Sequence, residues 1–206
     1  MTYTLDQADI IIDLAQQTLR LPKQNKFYVI SSGKNGIGEQ ENSGKTPRGW
    51  HQVAQKIGGD APKNAVFIAR QPTGEVYDLQ LAQQFPQRDW ILSRILWLDG
   101  LEEGFNHGEG HDTFKRYIYI HGTPDTEPMG IPMSHGCIRM KNDEIIELFE
   151  LVSEQALVYI SEQALENDME NANKCLNKIR KYQFLHGITY FLIIRTVFSE
   201  KNGKSV

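Results

Sequence analysis

The chain has 206 residues, of which 40% are hydrophobic. This length is sufficient for one domain with a hydrophobic core, or for one domain with an appendage. The formal net charge of −4 and the pI near 5.9 argue against a constitutive nucleic-acid binder, because such proteins need a basic surface to displace counterions from phosphates. Residues 1–26 lack a basic leader followed by an apolar core and a small-residue cleavage site, so the sequence as written predicts a cytoplasmic chain.

The predicted elements are mostly strands. Short runs rich in β-branched and aromatic residues, bounded by turn residues, are typical of strands; in chain order they are ADIIIDL, KFYVISSG, NAVFIAR, GEVYDL, WILSRILWL, KRYIYIHG and ALVYI. The clearest helix is NDEIIELFELV, which Asn142 or Asp143 can cap. Its apolar residues at helical spacing are Ile145, Leu148, Phe149 and Val152. This pattern predicts a mainly β domain over residues 1–161, with one helix packed on it.

The composition changes after that domain. Residues 162–206 begin with a polar segment that predicts an exposed helix, and they form a C-terminal tail with no recognisable chemistry. The apolar stretch YQFLHGITYFLII within this tail is shorter than the roughly 20 residues needed to span a bilayer, so a packed or interfacial position is predicted. Cys137 and Cys175 are expected to be reduced thiols, because a domain of this size does not need a disulfide.

The segment IPMSHGCIRM is the strongest candidate for chemistry. A catalytic cysteine needs a base or a positive environment, and its acyl intermediate needs oxyanion donors. His121 ends the predicted strand RYIYIHG and can meet Cys137 in space as that base. Gly136 allows a tight turn that presents backbone amides to an oxyanion, and Arg139 can lower the thiol pKa or hold a substrate carboxylate.

Each of these residues also has a plainer interpretation. Cys137 can be a small core residue, His121 a hydrogen-bonded histidine at a strand end, and His135 a structural loop residue. A zinc site is a further alternative, with potential ligands at His107, His111, His121, His135 and Cys137. Because HGEGH is a glycine-rich loop and not a helix that presents two ligands on one face, no metal is expected.

The run YIYIHGTPDTEPMGIPMSHGCIRMKNDEIIELFELV resembles the active-site segment of the L,D-transpeptidase catalytic domain, the YkuD-type domain. That family carries a His-Gly pair at a strand end, a variable loop, and then Ser/Thr-His-Gly-Cys, an apolar residue and Asn or Arg. Here the pattern falls on His121, Gly122, Ser134, His135, Gly136, Cys137, Ile138 and Arg139. Upstream, SSGKNGIGEQENSGKTPRGWHQV is similar to the family's glycine-rich segment, and the resemblance covers roughly residues 8–160.

The resemblance implies a sandwich-like β fold, with a helix after the loop that carries the cysteine. It implies that Cys137 is the nucleophile and that His121 is the general base and later the acid. The backbone carbonyl of Gly122 would orient the imidazole. The oxyanion and substrate pocket would be formed around Ser134, His135, Gly136 and Arg139.

The implied substrates are peptidoglycan stem peptides or muropeptides, and no cofactor is implied. The cysteine would attack the L-centre carbonyl of diaminopimelate in a tetrapeptide stem, release D-alanine and leave a thioester. An amine acceptor gives a 3-3 crosslink, whereas water gives an L,D-carboxypeptidase. Because most family members work outside the cytoplasm, an exported transpeptidase and a cytosolic recycling carboxypeptidase both remain hypotheses. An inactive peptidoglycan-binding module is a third, although the complete motif argues against it.

Overall fold

A ten-stranded sheet forms the framework of the computed structural model, which describes residues 3–163. The strands in chain order are β1 (Ile10–Asp13), β2 (Thr18–Leu21), β3 (Lys26–Val29), β4 (Gly49–Ile57), β5 (Ala65–Ile68), β6 (Gln71–Val76), β7 (Ile91–Gly100), β8 (Tyr119–Gly122), β9 (Ile138–Met140) and β10 (Leu157–Ser161). The α-helices are α1 (Leu79–Gln84) and α2 (Asn142–Leu151), and two short 3-10 helices span Leu5–Gln7 and Pro22–Gln24. The predicted C-terminal tail lies outside the described residues.

The strand order is β3-β2-β1-β10-β4-β7-β5-β6, and β8 pairs with both β7 and β9. Strand β7 is at the centre, because it pairs antiparallel with β4, β5 and β8. The register between β7 and β8 shifts between Leu92 and Ile95, and Ser93 within this shift has a φ of 64°. Such a bulge bends the strand locally and lets one strand serve several partners.

The two faces of β8 and β9 belong to different clusters. On one face, Ile120, Ile138 and Met140 are fully buried and share the main core with Ile145 and Leu148 of α2. The other face packs into a smaller cluster, whose members include Phe67, Ile95, Trp97, Tyr119 and Cys137. Because side chains alternate across a strand, the helix supports the face opposite the cysteine.

The structure confirms a mainly β fold with a helix directly after the loop that carries Cys137. The helix begins as predicted, but its N-cap is Lys141 in extended conformation, without a side-chain capping bond. The prediction that Asn142 or Asp143 caps the helix is therefore wrong. The Asn142 amide instead donates to the carbonyl of Thr123 at 2.7 Å, and its Oδ1 accepts from Ser93 Oγ at 2.6 Å.

Three strands and one helix were not predicted from the sequence: β2, β4, β9 and α1. Strand β4 contains Gln52, Gln55 and Lys56, and its pairing with β7 is irregular between Val53 and Gln55. A bulge interrupts the period-2 alternation that marks a strand, so the local pattern is weak. Among residues 3–163, no helix has the length and apolar character needed to cross a membrane.

Candidate active site

Strands β8 and β9 bring the predicted histidine and cysteine to one face of the sheet. The two strands are parallel, with Ile120 opposite Ile138 and His121 opposite Arg139. Cys137 precedes β9 by one residue, so its side chain shares the face of His121. A strand spacing of about 4.8 Å and a rise of about 3.3 Å per residue put their β-carbons roughly 8 Å apart on the diagonal. Among residues 3–163, no hydrogen bond joins the side chains of His121 and Cys137.

His121 is held as a neutral imidazole with a defined orientation. Its ring is buried, and Nδ1 lies 2.7 Å from the carbonyl oxygen of Gly122. A carbonyl can only accept, so Nδ1 carries the proton and Nε2 keeps the lone pair. Burial lowers the pKa of His121 to about 4, against the opposing effect of the bond to Gly122. At neutral pH, Nε2 is therefore free to accept a proton.

Gly122 has to be glycine at this position. A β-carbon on Gly122 would lie 2.6 Å from both Asn142 Oδ1 and the carbonyl oxygen of Leu92. Both contacts are shorter than van der Waals packing allows. The close approach of α2 and β7 thus selects the residue whose carbonyl orients His121.

Cys137 is half-buried and held by two backbone contacts. The amide of Tyr119 donates to Sγ at 3.4 Å, and Sγ donates to the carbonyl of Tyr117 at 3.4 Å. Burial raises the pKa of the thiol to about 12, although the Tyr119 amide and the positive charge of Arg139 act in the opposite direction. Burial therefore favours a thiol and a neutral imidazole over a thiolate–imidazolium pair in the resting site.

The backbone around the cysteine is fixed by two hydroxyl groups. Ser134 Oγ donates to the carbonyl of Cys137 at 2.5 Å and accepts from the amide of Gly136 at 3.1 Å. Thr46 Oγ1 donates to the carbonyl of Gly136 at 2.9 Å and accepts from the amide of Gly33 at 2.9 Å. The glycine-rich segment with Thr46 therefore packs directly on the segment with Cys137.

Gly136 has a φ of 121°, in the region that favours glycine. A β-carbon at this position would lie 3.0 Å from the carbonyl oxygen of Lys45. The tight backbone turn predicted from the sequence is therefore present. The amide of Gly136, however, is already bonded to Ser134 Oγ, so it would serve an oxyanion only after exchanging that partner.

Arg139 and His135 share a carboxylate that sequence reasoning missed. Arg139 Nη2 lies 2.7 Å from Asp89 Oδ1, and His135 Nδ1 lies 3.0 Å from Asp89 Oδ2. Glu127 is a second acidic neighbour of Arg139, at 3.6 Å. The neighbouring charge of Arg139 and the bond to His135 lower the pKa of Asp89 even though burial opposes them. Asp89 lies between α1 and β7, far from the motif in sequence, and no local pattern singles it out.

The charge of Arg139 acts on the thiol pKa in the predicted direction, but it does not decide the net shift. Burial of the sulfur has the larger effect, and the net shift in the pKa of Cys137 is upward. Much of the Arg139 charge is offset by Asp89 and Glu127. The guanidinium is also nearly buried, with a side chain 9% exposed.

The potential zinc ligands do not converge on the cysteine. His107 Nδ1 lies 3.3 Å from Asp99 Oδ1, and Asp112 completes a group whose candidate ligand atoms lie within 4.8 Å of one another. Asp112 is also ion-paired with Lys115 at 3.1 Å. Within the described part of the chain this is the only group of that kind, so the proposed set that joined His107 to Cys137 is not formed.

Comparison with known proteins places the chain in a family of enzymes. The sequence model of the L,D-transpeptidase catalytic domain, YkuD, matches residues 7–160. The chain therefore belongs to the L,D-transpeptidase catalytic domain family, whose members act on peptidoglycan peptides. No curated protein sequence matches the chain significantly.

Several solved structures of L,D-transpeptidases are similar to this chain. A cysteine-to-serine variant from Enterococcus faecium is 19% identical, with a TM-score of 0.43 over 75% of this chain and 50% of that chain. L,D-transpeptidase 3 of Mycobacterium tuberculosis, with a faropenem-derived adduct, is 15% identical, with a TM-score of 0.45 over 74% and 59% of the two chains. The enzyme from Xylanimonas cellulosilytica is 18% identical, with a TM-score of 0.41 over 74% and 59%. This chain thus spans 50% to 59% of the length of these proteins.

Proposed function

We propose that the domain is an L,D-transpeptidase that uses Cys137 as its nucleophile. The observation that carries this proposal is the 2.7 Å contact between His121 Nδ1 and the carbonyl of Gly122. That contact leaves Nε2 as a base on the same sheet face as the thiol. The substrate is the tetrapeptide stem of peptidoglycan, and the attacked group is the L-centre carbonyl of its diaminopimelate.

In the first half-reaction, Sγ of Cys137 bonds to the carbonyl carbon while its proton passes to His121 Nε2. The bond between that carbon and the nitrogen of D-alanine then breaks. His121 returns the proton to the departing amine, and a thioester remains on Cys137. Because burial favours the neutral thiol and the neutral imidazole, we expect proton transfer to accompany attack.

Backbone amides stabilise the charges that develop. The amide of Tyr119, which donates to Sγ in the resting state, stabilises the sulfur as it loses its proton. The amide of Cys137 donates to the oxyanion. The Gly136 amide also donates to the oxyanion once its hydrogen bond to the Ser134 hydroxyl is broken.

In the second half-reaction, an amine from another stem attacks the thioester. His121 takes a proton from that amine, the bond to Sγ breaks, and the thiolate recovers the proton from the imidazolium. The product is a 3-3 crosslink. If water replaces the amine, the same steps release a tripeptide, and the enzyme acts as an L,D-carboxypeptidase.

The test is to incubate the purified chain with a soluble disaccharide-tetrapeptide and to identify the products by mass spectrometry. A crosslinked dimer that has lost one alanine is the expected product, and Cys137→Ala should form none. Release of alanine without a dimer would replace the transpeptidase by the carboxypeptidase. An unchanged substrate with active-site thiol intact would contradict both activities and favour a peptidoglycan-binding module.

A further inference from the structure

Arg70 occupies an unusual position at the tip of the β5–β6 hairpin. The two residues of the turn, Ala69 and Arg70, have φ values of 47° and 68°. Turns with two positive φ values normally use Asn and Gly, because other residues are disfavoured there. A strained turn persists only where its surroundings hold it, and such strain is concentrated at functional sites.

Two aromatic rings hold the guanidinium of Arg70. Its central carbon lies 4.7 Å from the ring centroid of Trp97 and 4.5 Å from that of Tyr117. Trp97 is itself fixed, because its indole N–H donates to the carbonyl of Phe114 at 3.1 Å and its ring stacks on Phe114 at 3.9 Å. Contacts of this kind cover the faces of a guanidinium and leave the N–H groups at its edge available.

Two tyrosines that contact Arg70 also contact the sulfur of the proposed nucleophile through their backbone atoms. Nη1 of Arg70 donates to the hydroxyl of Tyr119 at 3.2 Å. The amide of Tyr119 donates to Cys137 Sγ, and the carbonyl of Tyr117 accepts from it. One tyrosine thus links the guanidinium to the thiol, with Arg70 at the end of its side chain and Cys137 at its backbone.

Arg70 has fewer polar partners than the other arginines around the thiol, because the only acceptor of its N–H groups among residues 3–163 is the hydroxyl of Tyr119. Arg139 is paired with Asp89 and Glu127. Arg116 donates to the carbonyl groups of Glu39 and Lys45, each at 2.6 Å. Across residues 3–163, no ion pair engages Arg70. Its edge is therefore available for an external anion.

We infer that Arg70 binds a carboxylate of the donor stem peptide and so positions that peptide over Cys137. This inference rests on the proposed function, because it concerns the substrate of the same site. A guanidinium binds a carboxylate through two parallel N–H···O bonds, which fixes orientation as well as charge. The tetrapeptide stem offers two such groups near the scissile bond: the C-terminal carboxylate of D-alanine and the carboxylate at the D-centre of diaminopimelate.

The kinetic test compares the wild type with Arg70→Gln on three substrates: the tetrapeptide, its C-terminal amide, and the analogue amidated at the D-centre of diaminopimelate. On the tetrapeptide, Arg70→Gln should lower kcat/KM by about 10- to 100-fold, mainly through KM, since a charged hydrogen-bonded pair is lost. On the analogue that lacks the bound carboxylate, the two proteins should be equally slow. That analogue identifies which carboxylate Arg70 binds.

Two controls separate binding from folding. Arg88→Gln removes an arginine that also lies over an aromatic ring, at 4.5 Å from the Trp90 centroid, but is paired with Glu75; its kcat/KM should stay within about twofold of the wild type. Alkylation of Cys137 by uncharged iodoacetamide should be equally fast in wild type and Arg70→Gln. Equal losses on all three substrates, or no loss on any, would overturn the role of Arg70.

A binding measurement distinguishes this failure from failure of the proposed function. Tetrapeptide binding to Cys137→Ala and to Cys137→Ala/Arg70→Gln is measured by calorimetry. One outcome is that the wild type releases no alanine, but Cys137→Ala/Arg70→Gln binds the tetrapeptide at least about 10-fold more weakly than Cys137→Ala. In that case the proposed reaction is wrong and the carboxylate site at Arg70 is supported. If the wild type turns over and both variants bind equally, the reaction stands and the role of Arg70 is wrong.

Discussion

The two faces of strands β8 and β9 differ in what holds their side chains. One face is apolar: the side chains of Ile120, Ile138 and Met140 are fully buried in the same apolar cluster as residues of α2. On the opposite face, His121 and Cys137 each make directional contacts with backbone groups. One short pair of strands thus provides both a rigid support and a set of oriented polar groups. Packing against α2 on one face fixes the geometry of the polar groups on the other face.

The largest expected effect comes from removing the sulfur. Cys137→Ala should lower turnover of the tetrapeptide by at least about 10³-fold, because no other group can form the thioester. Its midpoint of thermal unfolding should stay close to that of the wild type, since the sulfur is only half-buried. Cys175→Ser, which changes the other cysteine of the chain, is the matched control and should retain full activity. Equal activity in the two variants would contradict the assignment of the nucleophile.

The next largest effect should come from the base. His121→Gln should slow acylation of Cys137 by about 10² to 10⁴-fold near neutral pH, because a neutral thiol is a poor nucleophile without a proton acceptor. Single-turnover release of alanine measures this step. His135→Gln changes the histidine that lies beside Asp89 and serves as the control. A slow His135 variant with a normal His121 variant would transfer the role of base to His135.

A substitution on the face that packs against α2 should mainly lower the stability of the domain. Ile138→Ala should destabilise the domain by about 2–5 kcal/mol, because a fully buried side chain leaves a cavity under α2. Denaturant unfolding measures this loss. A matched change on the other face, Tyr119→Phe, removes only the hydroxyl that accepts from Arg70 and should cost about 1 kcal/mol or less. Similar losses in the free energy of unfolding for the two variants would show that structural support is not confined to the face packed against α2.

The smallest effect concerns a carboxyl group on α2. Burial raises the pKa of Glu144 to about 7, and the negative charges of Glu147 and Asp125 add to this effect while Lys141 opposes it. The folded state therefore keeps a proton that the unfolded state releases near pH 4.5. Stability from this group is complete below pH 4.5 and is lost as the pH rises through 7.

Glu144→Gln removes this titration. The free energy of unfolding of the variant, relative to the wild type, should rise by on the order of 1–3 kcal/mol between pH 4.5 and pH 8. Urea unfolding at the two pH values measures the difference. Asp143→Asn, at an exposed neighbouring position of the same helix, should show a much smaller dependence. A flat difference for both variants would mean that Glu144 has the same pKa in the folded and unfolded states.

Three features could be predicted from the residues alone: the fold class, the helix after the cysteine and the family. These features depend on local signals, namely the alternation in YIYIHG, the helical spacing in NDEIIELFELV and the linear motif around Cys137. A local period reports which face of an element is apolar. The helix lies where the pattern predicted it, whereas the strand predicted over KRYIYIHG is formed only at Tyr119–Gly122.

The groups that surround the motif from distant parts of the chain could not be predicted in this way. Asp89 and Thr46 come from other parts of the chain and contact the segment around Cys137. Arg70 contacts Tyr119, whose amide donates to the sulfur. Burial of the site also set the protonation of Cys137 and His121, which the sequence alone could not supply. The physical reason is that desolvation and long-range contact depend on how the whole sheet curls, and no window of neighbouring residues contains that information.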